Sequence, residues 1–458
     1  MILPTSADRR IVWLQRWLAL AALALIGATW RLWTASTDFP RIPWFSWLCG
    51  VPNWCDLVAL AGLVAGLVLV LVLAPWRDRF ATPKVRIAIS AILAISGGTL
   101  LLLDQHRLQP WAYQFAWIIF VLATAPAGRA FMLIRLLTIG IYFWSAISKF
   151  DATFLATTGP DLLRGLWHTL ALDPHLLDGN AAARLAWGLP LGELAVACLL
   201  AIRWTRRFGL LASIVMHGLL LVVLGPWGLD HQPGVLLWNL YLIGQNLLLF
   251  GPRSEPAAGG DRHWPAFFIS RNALASGSSR NCRKPWASAH RLMRRGARLM
   301  NNRGRGLIEI AVALALLLPI LEPFGWFDHW PAWAVYAPGA ERVTLLVDSA
   351  AAERLPESIQ AHLGPPQWPH GRQVVRTDLW SLRAVSAPIY PQGRFRAAVA
   401  LAIIEKYQLD VAATLIVASR ADRLTGQRTV RTFHGAEAIT RHAASYWVNT
   451  CASGGLRP

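Results

Sequence analysis

One apolar stretch carries three polar side chains at spacings that place them on a single helical face. The stretch IYFWSAISKFD holds Tyr142, Ser145 and Lys149 at positions i, i+3 and i+7, which share one side of a helix. A lysine at the end of a membrane helix is either an interfacial anchor or a functional charge held against the bilayer. A desolvated lysine gives up its proton readily, so Lys149 could act as a base.

Other polar residues interrupt the apolar blocks that follow. Glu193, His217 and Asn239 lie inside such blocks, and Asp104 ends an earlier one. Ionisable groups inside a membrane usually face a protein interior or a cavity. We therefore predict a proton-transfer site beside an apolar ligand. The predicted catalytic residues are Lys149 as base and Glu193 and His217 as relay, and the predicted cofactor-binding residues are Asp104, Tyr142, Trp238 and Asn239.

Each of these residues also has a purely structural interpretation. Lys149 could reach the headgroup region as an anchor, and Asp104 could be a solvated helix end. His217 and Asn239 could be hydrogen-bond partners between helices, and Glu193 could be neutral or structurally paired. A quinone or another isoprenoid ring would suit a Trp-rich cavity, but the residues alone do not identify a cofactor, and we predict no metal site.

Composition identifies an integral membrane protein. The 458 residues are 55% hydrophobic and only 15% charged, whereas soluble proteins carry about 25% charged residues. Crossing the bilayer needs about 20 apolar residues. We predict about nine spans, at residues 12–33, 56–75, 85–103, 110–126, 130–149, 184–202, 207–224, 234–250 and 306–323.

The net charge of +19 lies mainly in short links between spans and in one long loop. Residues 253–305 hold twelve Arg or Lys against two acidic residues. This asymmetry is the positive-inside pattern, so the predicted partners are membrane lipids, anionic ones above all, and not nucleic acid. We predict a bacterial inner-membrane protein with a cytoplasmic N-terminus and a periplasmic C-terminal domain.

The predicted fold class is an all-α polytopic bundle with a small C-terminal α/β domain. Strands are predicted around 342–348 and 411–419, with helices at 355–363, 393–407 and 435–447. The predicted divisions are a two-span anchor with a periplasmic loop (1–84), a helix bundle (85–250), a basic cytoplasmic loop (251–305), a last span (306–323) and the periplasmic α/β domain (324–458). This domain lacks any recognisable catalytic motif and could bind a periplasmic protein partner.

The five cysteines show no CxxC metal spacing. Cys49 and Cys55 share one loop on the predicted periplasmic side. They could form a small disulfide loop in an oxidising compartment or remain free thiols.

Four stretches resemble known families: DQHRLQPWAYQ (104–114), IYFWSAISKFDATFL (141–155), MHGLLLVVLGPWG (216–228) and VLLWNLYL (235–242). They resemble MauE/DoxX-like bacterial membrane proteins and, more distantly, the HTTM domain of vitamin K-dependent gamma-carboxylases. The resemblance covers about residues 85–250. It implies a helix bundle that presents a lysine to a reduced quinone, and Lys149 occupies that position in the motif.

The sequence also departs from these families. The large lumenal domain of the carboxylases and an intramembrane CxxC are both missing, so the resemblance implies no particular reaction. One hypothesis is a quinone-binding protein that assists periplasmic redox or carboxylation-type chemistry. The alternative is a non-enzymatic scaffold that recruits a periplasmic partner. A transporter is less favoured because no paired, broken spans recur in two halves.

Overall fold

The computed structural model describes residues 6–35, 38–73, 83–172, 179–252, 306–367 and 371–453. In the membrane part, its helices are α1 (Ser6–Ala28), α2 (Trp30–Trp33), α3 (Trp54–Leu73), α4 (Pro83–Leu103), α5 (Pro110–Thr124), α6 (Ala127–Lys149), α7 (Ala152–Ala156), α8 (Thr158–Thr169), α9 (Gly179–Ala186), α10 (Gly188–Ala201), α11 (Arg206–Leu224), α12 (Pro233–Phe250) and α13 (Gly306–Phe324). The predicted basic loop lies outside the described residues.

The predicted polytopic bundle is confirmed. Eight helices in the described ranges are long and apolar enough to cross a membrane, and the shorter apolar helix α5 accompanies them. The prediction of about nine spans included α5 as its fourth member. Pro110 and Pro233 stand in the first turns of α5 and α12, where a missing N–H costs nothing.

The bundle is built from packed helix pairs, and α1, the first helix of the chain, packs against α12. Helix α3 packs on α4, α10 packs on α6 and α11, and α1 packs on α12. At the α1–α12 contact, the Trp17 indole lies against Gly244, where a Cβ atom would collide with the ring. Trp17 Nε1 also donates to the Tyr241 carbonyl at 2.9 Å. This close approach fixes α12 against α1.

The C-terminal region contains a four-stranded antiparallel sheet in the order β2-β1-β3-β4. Its elements are β1 (Arg342–Val347), α14 (Ser349–Ala352), α15 (Glu357–Gln360), β2 (Gln373–Val375), α16 (Thr377–Val385), α17 (Gly393–Lys406), β3 (Ala413–Ala418), β4 (Val430–His434) and α18 (Gly435–Ala443). The two predicted strands correspond to β1 and β3. The helix predicted at 355–363 is only the single turn α15, and β2, β4 and α16 were not predicted.

This sheet domain packs directly on the loops that follow α4 and α6. His106 Nε2 lies 2.9 Å from the Pro388 carbonyl, and Arg394 Nε donates to Gln105 Oε1 at 3.0 Å. Ala152 N donates to the Arg423 carbonyl at 2.8 Å. The ends of α4 and α6 therefore lie on the same side of the bundle as the C-terminal domain. The exact domain boundaries stay a prediction.

The disulfide considered between Cys49 and Cys55 is not formed in the structure. Cys55 is a free cysteine in the first turn of α3. The Cys49 thiol instead donates to the carbonyl of Cys451 at 3.5 Å.

Candidate functional site

The predicted base and one predicted relay residue form an ion pair between helices α6 and α10. Lys149 Nζ lies 2.9 and 2.8 Å from the two oxygens of Glu193, and it donates to Ser145 Oγ at 2.7 Å. The Lys149 side chain is 5% exposed and that of Glu193 is 16% exposed. The pairing of opposite charges offsets the cost of removing each from water.

A second group of predicted residues forms a directional hydrogen-bond chain about two helical turns from Lys149 along α6. His217 Nδ1 lies 2.8 Å from Asn239 Oδ1, and its Nε2 lies 2.7 Å from the Tyr142 hydroxyl. The Asn239 oxygen can only accept, so we assign the His217 proton to Nδ1. The other ring nitrogen then accepts from Tyr142. This assignment describes a neutral imidazole.

Asn246 extends this chain, although the sequence analysis did not select it. Its Nδ2 donates to the Tyr142 hydroxyl at 2.5 Å and to Ser213 Oγ at 3.2 Å. The Asn246 Oδ1 atom is buried and, among the described residues, has no hydrogen-bond partner. The signal was the pair Gln245–Asn246 inside the apolar block of α12. Side-chain amides inside an apolar helix need hydrogen-bond partners, just as buried charged side chains do.

Four further side chains form a hydrogen-bonded ladder beside this chain. Trp238 Nε1 donates to Gln114 Oε1 at 2.8 Å, and Gln114 Nε2 donates to Gln245 Oε1 at 3.0 Å. Gln245 Nε2 then donates to Thr138 Oγ1 at 2.9 Å. Trp238 was predicted to contact a cofactor, but in the structure its only polar atom is engaged by Gln114. The ladder joins α5, α6 and α12.

The ion pair and the hydrogen-bond chain belong to one cluster. Glu193 is close enough to act electrostatically on both Tyr142 and His217. The structure therefore brings together five of the seven predicted site residues: Lys149, Glu193, His217, Tyr142 and Asn239. They come from α6, α10, α11 and α12, which pack as consecutive neighbours. We refer to these five residues as the intramembrane cluster.

Asp104 is not part of this cluster. Its carboxylate lies just after α4 and accepts from the backbone N–H of His106 at 3.1 Å and of Ile42 at 3.4 Å. Burial raises the pKa of Asp104 to about 6, against the opposing effect of Arg107. Asp104 therefore shapes the loop on which the C-terminal domain rests.

A buried charge cluster missed by the sequence analysis lies near Asp104. Asp56, which is fully buried, forms ion pairs with both Arg41 and Arg107. Arg107 also donates to the Leu32 carbonyl at 2.9 Å. These contacts hold the 38–53 loop against the end of α4. Within the described residues, no group of three His, Cys, Asp or Glu side chains could hold a metal ion.

Comparison with known families bears on the cluster directly. Residues 127–226 match the family model described as methylamine utilisation protein MauE. This segment is MauE-like. It extends from the start of α6 through the end of α11, so it contains Tyr142, Lys149, Glu193 and His217, whereas Asn239 lies beyond it. No curated protein and no solved structure matches the chain.

Proposed function

We propose that this multi-pass membrane protein binds a quinone-like lipid at the intramembrane cluster and assists redox or carboxylation-type chemistry at the outer side of a bacterial inner membrane. The observation that supports this proposal is the buried Lys149–Glu193 ion pair beside the Tyr142–His217 hydrogen bond. A buried charge pair in the same helix cluster as a neutral imidazole is suited to moving protons. Most of the cluster lies in the MauE-like segment.

The chain's own residues would hold and move protons as follows. Lys149 is the proton-holding group, and Glu193 is its acceptor at 2.8 Å. Transfer of one proton from Nζ to the carboxylate leaves a neutral amine that can act as the base. His217, neutral and hydrogen-bonded on both sides, can take a proton at Nε2 once the Tyr142 hydroxyl turns away. A bound quinone would supply a redox couple whose reduction takes up protons.

An atom next to the intramembrane cluster is suited to such a ligand. Asn246 Oδ1 is a buried acceptor without a partner among the described residues, and an unsatisfied buried acceptor costs about 1–3 kcal/mol. A hydroxyl group of a reduced quinone is a donor of the required kind. This unpaired acceptor supports the proposed ligand class, and Asn246 joins the residues proposed to bind it.

The orientation is part of the same proposal. We propose that the N-terminus is cytoplasmic and that the C-terminal domain is periplasmic. The distribution of Arg and Lys among the links supports this orientation. The contacts of the C-terminal domain with the loops after α4 and α6 are consistent with it.

Lipid analysis of the purified protein tests the ligand. The full chain is purified in mild detergent, its bound lipids are extracted, and quinones are identified by chromatography and absorbance. We expect quinone in the wild type and at least a tenfold loss in Lys149→Met, Glu193→Gln and His217→Ala. Because single changes could unfold the bundle, the double variant Lys149→Met/Glu193→Met removes both charges together. A folded wild type that retains no quinone contradicts the proposal.

The C-terminal sheet supports a second candidate function, recruitment of a periplasmic protein. Strand β4 is an edge strand of the sheet and pairs only with β3 among the described strands. Val430 at its start is 59% exposed. An exposed edge strand can pair with a strand of another chain. Photocrosslinkers at Val430 and, as the control, at Val411, which is exposed in the same domain but lies outside its strands, distinguish a specific partner from general contact. Crosslinks of equal pattern at both positions contradict recruitment.

A further inference from the structure

The segment near the C-terminal end of the described chain is fixed against the loop between α2 and α3. Asn449 Nδ2 donates to the Pro43 carbonyl at 2.8 Å. Ser453 N donates to the Arg41 carbonyl at 2.8 Å, and Arg41 Nε donates back to Ser453 Oγ at 3.0 Å. Arg41 is itself held by the buried carboxylate of Asp56. Residues 449–453 therefore have a defined place on this loop.

This arrangement brings Cys49 and Cys451 into contact. Cys49 Sγ lies 3.5 Å from the Cys451 carbonyl oxygen, and Asn449 Nδ2 lies 3.6 Å from the same sulfur. Asn449 Oδ1 accepts from Cys451 N at 3.0 Å, which sets the turn that presents Cys451. The two cysteines are 402 residues apart in the chain. Their contact is a product of the fold.

The electrostatics agree that the two thiols are close. Partial burial, the neighbouring Cys49 thiol and Glu405 together raise the pKa of Cys451. Cys451 is exposed and Cys49 is half-buried, so reagents can reach the pair from solvent. A disulfide requires two cysteines whose backbones are neighbours, and the contact of the Cys49 sulfur with the backbone of Cys451 meets that requirement.

We propose that Cys49 and Cys451 are joined by a disulfide that fastens the C-terminal segment to the loop between α2 and α3. The bond forms by exchange with a disulfide of a protein or small-molecule oxidant. One cysteine thiolate attacks that disulfide, which forms a mixed disulfide and expels one thiolate of the oxidant. The other cysteine attacks the mixed disulfide, which forms the Cys49–Cys451 bond and expels the second thiolate. The two electrons and the two thiol protons thus pass to the oxidant, which leaves as a dithiol.

The proposal goes beyond the proposed function; it rests on the orientation proposed there and not on the quinone-like ligand. A bond between Cys49 and Cys451 excludes the alternative pairing of Cys49 with Cys55. It requires that the loop carrying Cys49 and the segment carrying Cys451 lie together on the oxidising side of the membrane. It would also keep the C-terminal domain in place when the hydrogen bonds at its edge open.

A cleavable version of the full chain tests the bond. A protease site is inserted in the 253–305 segment, and the purified protein is cut and run in denaturing gels. We expect one full-length band without reductant and two fragments with it. Cys49→Ser and Cys451→Ser should give two fragments in both lanes, whereas the matched controls Cys55→Ser and Cys198→Ser should behave as the wild type does.

Peptide mapping of the wild type decides the result without any variant. Thiols are blocked with N-ethylmaleimide in intact membranes before digestion. A linked peptide pair containing Cys49 and Cys451 supports the proposal. Two blocked thiols at these positions after treatment with diamide, or a link from Cys49 to Cys55, overturns it.

Discussion

Lys149 on α6 is bound by both carboxylate oxygens of Glu193 on α10, at 2.9 and 2.8 Å. Both side chains are largely removed from water, and each charge is neutralised by the other. In such a pair the two charges depend on each other. Removing one leaves an uncompensated buried charge and is costly, whereas replacing both with apolar residues changes stability little. This asymmetry predicts that the single and the double variants differ in stability.

Removing one member of the Lys149–Glu193 pair should destabilise the bundle more than removing both. We expect Lys149→Met alone to lower the free energy of unfolding by about 3 kcal/mol, and Lys149→Met/Glu193→Met by less than about 1 kcal/mol. Thermal unfolding in detergent measures the difference. If the double variant is as unstable as the sum of the single variants, the two charges do not compensate each other.

The hydrogen bond between Tyr142 and His217 should contribute modestly to stability. Tyr142→Phe removes the hydroxyl that contacts His217 Nε2 and Asn246 Nδ2. Hydrogen bonds between membrane helices contribute about 0.6 kcal/mol on average, with a maximum near 1.7. We expect a loss of about 1 kcal/mol. A double-mutant cycle with His217→Ala measures the coupling, and a coupling near zero contradicts the described hydrogen bond.

Much of the membrane architecture could be predicted because apolar length is a direct signal. The predicted spans 56–75, 85–103 and 234–250 agree closely with α3, α4 and α12. The cluster was found because Lys149, Glu193 and His217 are conspicuous in apolar blocks. Strand β4 was missed because its burial is mostly low and its sequence, VRTFH, has no apolar run.

Other parts of the site could not be predicted because they depend on helix adjacency. Asp104 and Lys149 both end apolar blocks of the sequence, and both were predicted to belong to one site. In the structure Asp104 turns toward the backbone of His106. Conversely, the contact between Cys49 and Cys451 joins distant parts of the chain, and no local pattern indicates it.

Asp104 and His106 should make opposite contributions to the pH dependence of stability. Burial raises the pKa of Asp104 to about 6 and lowers that of His106 to about 4. Between about pH 4 and 6, the folded state keeps a proton on Asp104 that the unfolded state releases, so stability falls as pH rises. In the same range the unfolded state protonates His106 and the folded state does not, so stability rises with pH.

Two matched variants separate these contributions. Asp104→Asn should make stability rise more steeply from pH 4 to pH 6 than in the wild type, by on the order of 3 kcal/mol across the range. His106→Gln should make the rise shallower. His329, whose pKa burial also lowers to about 4, is present in all three proteins and cancels in the comparison. Equal slopes in wild type and Asp104→Asn contradict the raised pKa.

Arg394 should hold the C-terminal domain on the bundle because its guanidinium binds two side chains at once, which the single ammonium group of lysine cannot do in the same geometry. Its guanidinium donates to Asp328 Oδ1 at 2.7 Å and to Gln105 Oε1 at 3.0 Å, and its side chain is 8% exposed. We expect Arg394→Lys to cost about 2 kcal/mol and to speed proteolysis of the domain in detergent. The control, Arg441→Lys, alters the exposed Glu437 pair and should cost less than about 0.5 kcal/mol. Equal proteolysis rates in the two variants would show that the Arg394 guanidinium does not hold the domain.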